Sequence, residues 1–126
     1  MRRPISIAAM VFVAALILVV GWSLLNEKNT KASAETAAAV DHGIEQMDKA
    51  LERWMSGDRM KAAATWHSAS LRTIPATTDA DNTLQTAYYA YANDMRYYFL
   101  GDASVTLKQL EAAREKAKAT LEEMSP

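Results

Sequence analysis

Residues 40–58 read VDHGIEQMDKALERWMSGD, and residues 84–102, 44 positions later, read LQTAYYAYANDMRYYFLGD. In and just before the first stretch, Ala37, Val40, Ile44, Met47, Leu51 and Trp54 recur at intervals of 3, 4, 3, 4 and 3. In the second, Leu84, Tyr88, Tyr91, Met95 and Tyr98 recur at 4, 3, 4 and 3. Such spacing puts the apolar side chains on one face of an α-helix. The shift lays Val40 on Leu84, Ile44 on Tyr88, Met47 on Tyr91, Leu51 on Met95 and Trp54 on Tyr98. It also lays Gly57-Asp58 on Gly101-Asp102, Trp66 on Leu110 and Ala69 on Ala113. A shared helical period alone would not bring the turns into register as well. The pattern predicts an all-α domain of four helices in two αα-hairpins, with a repeat of about 44 residues.

The segments around these stretches fill in the hairpins. Gly57 supplies a left-handed C-terminal position, and Asp58 can cap the helix that follows. A second helix is predicted over Met60 to Ile74, carrying Ala62, Ala63, Ala64, Trp66, Ala69 and Leu71, with Arg59, Lys61 and Arg72 outward. Pro75 stops it. Ala76 to Asp81 reads as the longest loop, followed by Asn82 as a cap with Gln85 in capping-box position. Val105, Leu107, Leu110, Ala113, Ala117, Leu121 and Met124 mark a last helix. Gly43 interrupts the first stripe at a cost of about 1 kcal/mol relative to Ala.

Gly57-Asp58, then Ala62, Trp66 and Ala69 with Pro75 soon after, resembles the turn and second helix of a tetratricopeptide repeat. Gly101-Asp102, Leu110 and Ala113 echo it, with Tyr97 fitting an aromatic of the first helix. Thr106 stands where the family has a small Ala, Pro75 is one residue late, and the period exceeds the family's usual length of about 34. The first helices lack the family's Trp and Leu-Gly positions, having Gln46, Lys49 and Ala50, then Ala90, Asn93 and Asp94. The resemblance implies an αα-hairpin protein that docks a peptide or protein partner in a groove. It carries over no binding residue.

Ahead of the repeat, Ile5 to Leu25 has no charged residue and no Pro. As a helix of about 21 residues it would measure about 30 Å, the thickness of a bilayer's hydrocarbon core. Arg2 and Arg3 precede it, the arrangement that holds an N-terminus in the cytoplasm, and Trp22 suits the headgroup level. The expected organisation is a cytoplasmic start at 1–4, a transmembrane anchor at 5–25, a juxtamembrane connector at 26–34 and a helical extracytoplasmic domain at 35–126. A cleaved signal peptide competes with the anchor, because Ala32-Ser33-Ala34 has the small-x-small form of a cleavage site. The apolar run exceeds the ~7–15 residues usual in a signal, and a polar spacer separates it from that site. A retained anchor is the expectation.

Composition narrows the chemistry. Of 14 basic residues, Arg2 and Arg3 precede the apolar run, leaving 12 against 15 acidic ones. A mildly acidic domain gives no electrostatic reason to expect nucleic acid. The absence of Cys excludes a lipoprotein anchor, a disulfide, a Cys-ligated metal and a thiol nucleophile together. Asp41-His42-x-x-Glu45 with Asp48 near the same face could be drawn as a helical metal site. With His67 the only other histidine, the set is poor, and no metal or other cofactor is expected. The seven Met include Met47, Met55, Met60 and Met95, at or beside core spacing, where Met fills gaps in packing. No phosphate loop, nucleophile elbow or convincing base is present, so an enzyme is not expected.

The tyrosines are the most distinctive feature. Tyr88, Tyr91 and Tyr98 fall on the core stripe, whereas Tyr89 and Tyr97 lie off it, near Asn93 and Arg96. Aromatics with Arg are enriched at protein interfaces and their hot spots. Tyr89, Asn93, Arg96 and Tyr97 are therefore the candidate partner-binding face, although Tyr89 and Tyr97 could equally broaden a buried one. The expected function is a membrane-anchored helical protein-interaction module, an accessory or scaffold subunit of a membrane-associated complex. Its expected contacts are the bilayer, through Ile5 to Leu25, and a protein partner near it. The alternative is an extracytoplasmic sensor or small-ligand-binding domain.

Overall fold

The computed structural model describes residues 31–126. The expected anchor at Ile5 to Leu25, the start at 1–4 and most of the connector lie outside them. The described residues form four helices and no strand: α1 (Ala34–Met55), α2 (Arg59–Ser70), α3 (Asp79–Phe99) and α4 (Leu107–Met124). None of these helices is long and apolar enough to cross a membrane. α1 packs chiefly on α2 and α3 on α4; the two pairs meet mainly through α1 and α3, and α2 meets α3 only sparsely.

The core is where the stripes converge. Val40, Met47, Leu84, Tyr88, Tyr91, Met95 and Leu110 are fully buried. Tyr88 lies against Gly43 of α1, and its hydroxyl donates to the Ala69 carbonyl of α2 at 3.1 Å. A Cβ on Gly43 would stand 2.6 Å from Tyr88 Cε2. The gap in the α1 stripe is therefore the space into which an α3 tyrosine packs.

The ends of α1 and α3 repeat down to their hydrogen bonds. Gly57 N–H donates to the Trp54 carbonyl and Asp58 N–H to that of Arg53, while Gly101 and Asp102 do the same to Tyr98 and Tyr97. Both glycines have positive φ, 93° and 74°. This is the Schellman closure that favours Gly after the cap. Beyond it the copies diverge. Asp58 caps α2 at once by accepting from Lys61 N–H, whereas Asp102 accepts from Ser104 N–H and α4 waits for a Thr106–Gln109 capping box.

Three expectations are corrected. α2 ends at Ser70, not at Ile74. Ile74, directly ahead of Pro75, is disfavoured in the helical region, and leaving the helix lets it bury while its carbonyl accepts from Gln85 Nε2 at 2.9 Å. Leu71, expected inward, is 70% exposed, because it shares the outward face of α2 with the exposed Ala64 and His67. α3 starts at Asp79 with Thr78 as its cap, so Asn82 and Gln85 form no capping box. Gln85 is committed to Ile74 instead. Met55 and Met60, expected at or beside the core, are exposed, as are Ala63 and Ala64.

A polar lock holds residues 31–36 to the rest of the bundle at the N-terminal end of α1. Ala32 is buried and donates its N–H to the Met124 carbonyl at 2.7 Å. Ser33 caps α1, and its own N–H donates to Asp81 Oδ1 at 2.7 Å. Buried Thr36 donates to the Pro75 carbonyl at 2.6 Å. What reads in sequence as a connector is, from Lys31 onward, part of the folded bundle.

Candidate functional site

At the other end of α1, farthest from that lock, the C-terminal turns of α1 and α3 bring aromatic rings together. Trp54 and Phe99 stack with centroids 4.3 Å apart and planes 10° from parallel, and Tyr98 leans on both. The Arg59 guanidinium lies 4.6 Å from the centre of the Trp54 ring, a cation–π distance. One turn deeper, Trp66 of α2 crosses toward α3 and donates its indole N–H to the Ala92 carbonyl at 2.9 Å.

Because α2 and α3 touch so little, the space between them stays open as a cleft of about 400 Å³. Trp54, Ala63, Trp66, His67, Arg96, Phe99 and Leu100 line it. Leu100 is 70% exposed. Met60 is 87% exposed and shares a face of α2 with Ala63 and His67, at spacings of three and seven residues. No carboxylate lines the cleft.

The four residues expected to form a partner face are split by this geometry. Tyr89, Asn93 and Arg96, at steps of four and three, run along the side of α3 that continues to Leu100. Arg96 reaches the cleft itself. Tyr97 lies about 100° further round the helix than Arg96. Tyr89 and Tyr97 are each 38% exposed, and the Tyr89 ring tilts against Tyr88. The residues missed as a site are Trp54, Trp66 and Phe99 with Leu100. The signal for them was the unbroken run Tyr97-Tyr98-Phe99-Leu100 at a helix end, facing the Trp that ends the matching helix of the first copy.

A second polar cluster, midway along the bundle, is a tie between helices. Arg114 of α4 grips Asp48 of α1 with Nε at 2.8 Å and Nη2 at 3.1 Å, and Tyr91 of α3 donates its hydroxyl to the same carboxylate at 2.8 Å. Lys118 stands 3.5 Å away. These contacts hold the Asp48 carboxyl below its ordinary range against the opposing effect of burial, and the tyrosine hydroxyl is pushed well above its own. Asp48 is thus committed to a cation and a phenol, while His42 and Glu45 face solvent. Among the described residues no group of three or more His, Cys, Asp or Glu could hold a metal ion.

Between α3 and α4 another groove, of about 440 Å³, is lined by residues that include Ala87, Ala90, Ala112, Ala113, Asp94 and Lys116. Burial raises the Asp94 carboxyl. No family model, curated protein or solved structure matches this chain.

Proposed function

We propose that this chain is a protein-interaction module held at a membrane, and that the cleft between α2 and α3 docks its partner. The observation that carries the reading is the gathering of Trp54, Trp66, Phe99 and Arg96 in one open cleft beside the exposed Leu100. Binding energy at protein interfaces concentrates in a few aromatic and Arg residues that fill or line a pocket. Apolar side chains gathered around one opening, rather than scattered singly, are what marks an interaction site on a protein surface.

The membrane half of the reading rests on the composition of Ile5 to Leu25 and on Arg2 and Arg3 ahead of it, which favour the bundle outside the cytoplasm. The hairpin resemblance supports docking in the same sense, since that architecture presents grooves between helices. Within the bundle, the cleft lies at the end opposite the lock at Ala32 and Ser33. Roughly 33 Å of α1 separates the two, at about 1.5 Å per residue.

The test is a tagged purification of the full chain from detergent-solubilised membranes, run beside the Leu100→Asp and Arg96→Glu variants. A stoichiometric partner retained by the parent and lost from both variants, with their melting temperatures unchanged, supports the reading. A partner retained by both variants moves the docking site elsewhere.

A further inference from the structure

The charges around the cleft specify the partner more closely. Resting on the docking proposal above, we infer that the cleft takes an acidic segment of another protein, one that inserts an aromatic or aliphatic anchor flanked by Asp or Glu.

Two arginines and a histidine border the apolar floor: Arg96 and His67 in the lining, and Arg59 over the outer ring of the Trp54–Phe99 stack. Among the described residues neither Arg59 nor Arg96 has a carboxylate within ion-pair distance, in contrast to Arg114, which has two. The nearby Asp58 is already spent on capping α2 and on Lys61 at 3.9 Å. The domain as a whole is mildly acidic, so positive groups without ion-pair partners among the described residues, set around an apolar cleft, are a local departure from its surface. Guanidinium groups beside a desolvating apolar wall favour an incoming carboxylate, because the wall removes the water that would screen the pair. A basic segment would meet like charge and gain nothing from the same contacts, which gives the site discrimination as well as attraction. The apolar demand comes from the same lining, where Trp66, Phe99 and Leu100 offer hydrophobic surface to an anchor beside these cations.

The experiment measures two labelled peptides by fluorescence anisotropy against the full chain in detergent. Both carry the same Phe and Leu anchors; one is flanked by Asp and Glu, the other by Lys. The acidic peptide is expected to bind at least tenfold more tightly, with the difference shrinking between low and high salt as exposed ion pairs are screened. Arg96→Glu should abolish or invert the preference, and Leu100→Asp should weaken the acidic peptide most, because it removes the shared apolar contact and sets a carboxylate one turn from Arg96. Equal binding of the two, insensitive to Arg96→Glu but lost in Leu100→Asp, overturns the acidic segment and leaves docking in the cleft intact. The same holds if neither peptide binds while the partner captured from membranes is still lost in Leu100→Asp. Peptide binding and partner capture both indifferent to Leu100→Asp would overturn the docking proposal with it.

Discussion

The Tyr88 ring occupies the space that a side chain at position 43 would need: Cε2, Cζ and the hydroxyl stand 2.6, 2.7 and 2.8 Å from where a Cβ would be on Gly43. This contact sets how closely α3 approaches α1, and the bond to the Ala69 carbonyl ties α2 to the same ring. Gly43→Ala brings two opposed effects. Helix propensity favours Ala by about 1 kcal/mol, and overpacking a buried ring costs about 1–3 kcal/mol. The ring is fully buried and anchored at its far end, so the clash should win and the melting temperature should fall. In a Tyr88→Leu background the same substitution should be neutral or stabilising. Thermal melts of the four proteins give the coupling directly, and strict additivity would show that the ring does not control the approach.

Asp48 makes the complementary tie, from α1 to α3 through Tyr91 and to α4 through Arg114. Its side chain and that of Arg114 are 28% and 31% exposed, so solvent weakens but does not remove the pair. Asp48→Ala should cost about 1–3 kcal/mol, because it leaves the buried Tyr91 phenol without its acceptor and Arg114 with only Glu115. Tyr91→Phe should cost less, about 1 kcal/mol. Asp48→Ala and Arg114→Ala should be clearly non-additive in denaturant titrations, whereas independent effects would reduce the cluster to surface decoration.

The hairpins were legible because periodicity reports which face of a helix is covered, and the glycine-aspartate turns reported where each copy reverses. Val40, Met47, Leu84 and Tyr91 are buried as their spacing required. The end of α2 was not legible, because it is decided by acceptors and donors far along the chain, Thr36 for the Pro75 carbonyl and Gln85 for Ile74. The cleft was hidden for a related reason. Trp54 and Trp66 sit on faces turned toward a neighbour, but a stripe does not reveal where two neighbours diverge and leave the rings open. The outward placement of Arg96 was legible from its position off the core stripe, near Tyr89 and Tyr97, because periodicity separates outward from inward positions.

Ser33 shows how much of the bundle's stability begins upstream of its first helix. Its side chain caps α1, its N–H reaches Asp81, and Ala32 beside it is buried. Ser33→Ala should cost about 1 kcal/mol as the loss of an N-cap. A chain cut to begin at Glu35, the product of cleavage after Ala34, loses all three contacts together and should melt markedly lower than one beginning at Lys31. Equal melting temperatures would mean that residues 31–34 only rest on the bundle. The Ala34–Glu35 bond lies in the first turn of α1, so the folded chain should also resist proteolysis there until the bundle is opened by denaturant.

Asp81 is the group through which acid should act on the fold. The residue is 1% exposed, and its carboxylate accepts from Ser33 N–H, from Thr77 N–H at 3.1 Å and from the Thr77 hydroxyl at 3.2 Å. Burial opposes the charge, but these donors prevail and bring the carboxyl from 3.8 down to about 2. A folded-state value below the unfolded one means that the unfolded chain takes up the proton first. The stabilisation is therefore complete above about pH 5, starts to fade as pH drops through 3.8, and is gone below about 2. A displacement of that size, from 3.8 to about 2, corresponds to roughly 2 kcal/mol. Asp48, lowered as well, adds loss in the same direction, and Asp94, raised by burial, partly offsets it. Asp81→Asn should lower stability at neutral pH by about 2 kcal/mol, since its amide NH₂ would face a donor where a carboxylate oxygen accepted. It should also flatten the acid limb, so that parent and variant converge near pH 2. Urea titrations at intervals from pH 7 to pH 2 test both points, and two parallel profiles would show that the lock at Asp81 does not govern acid unfolding.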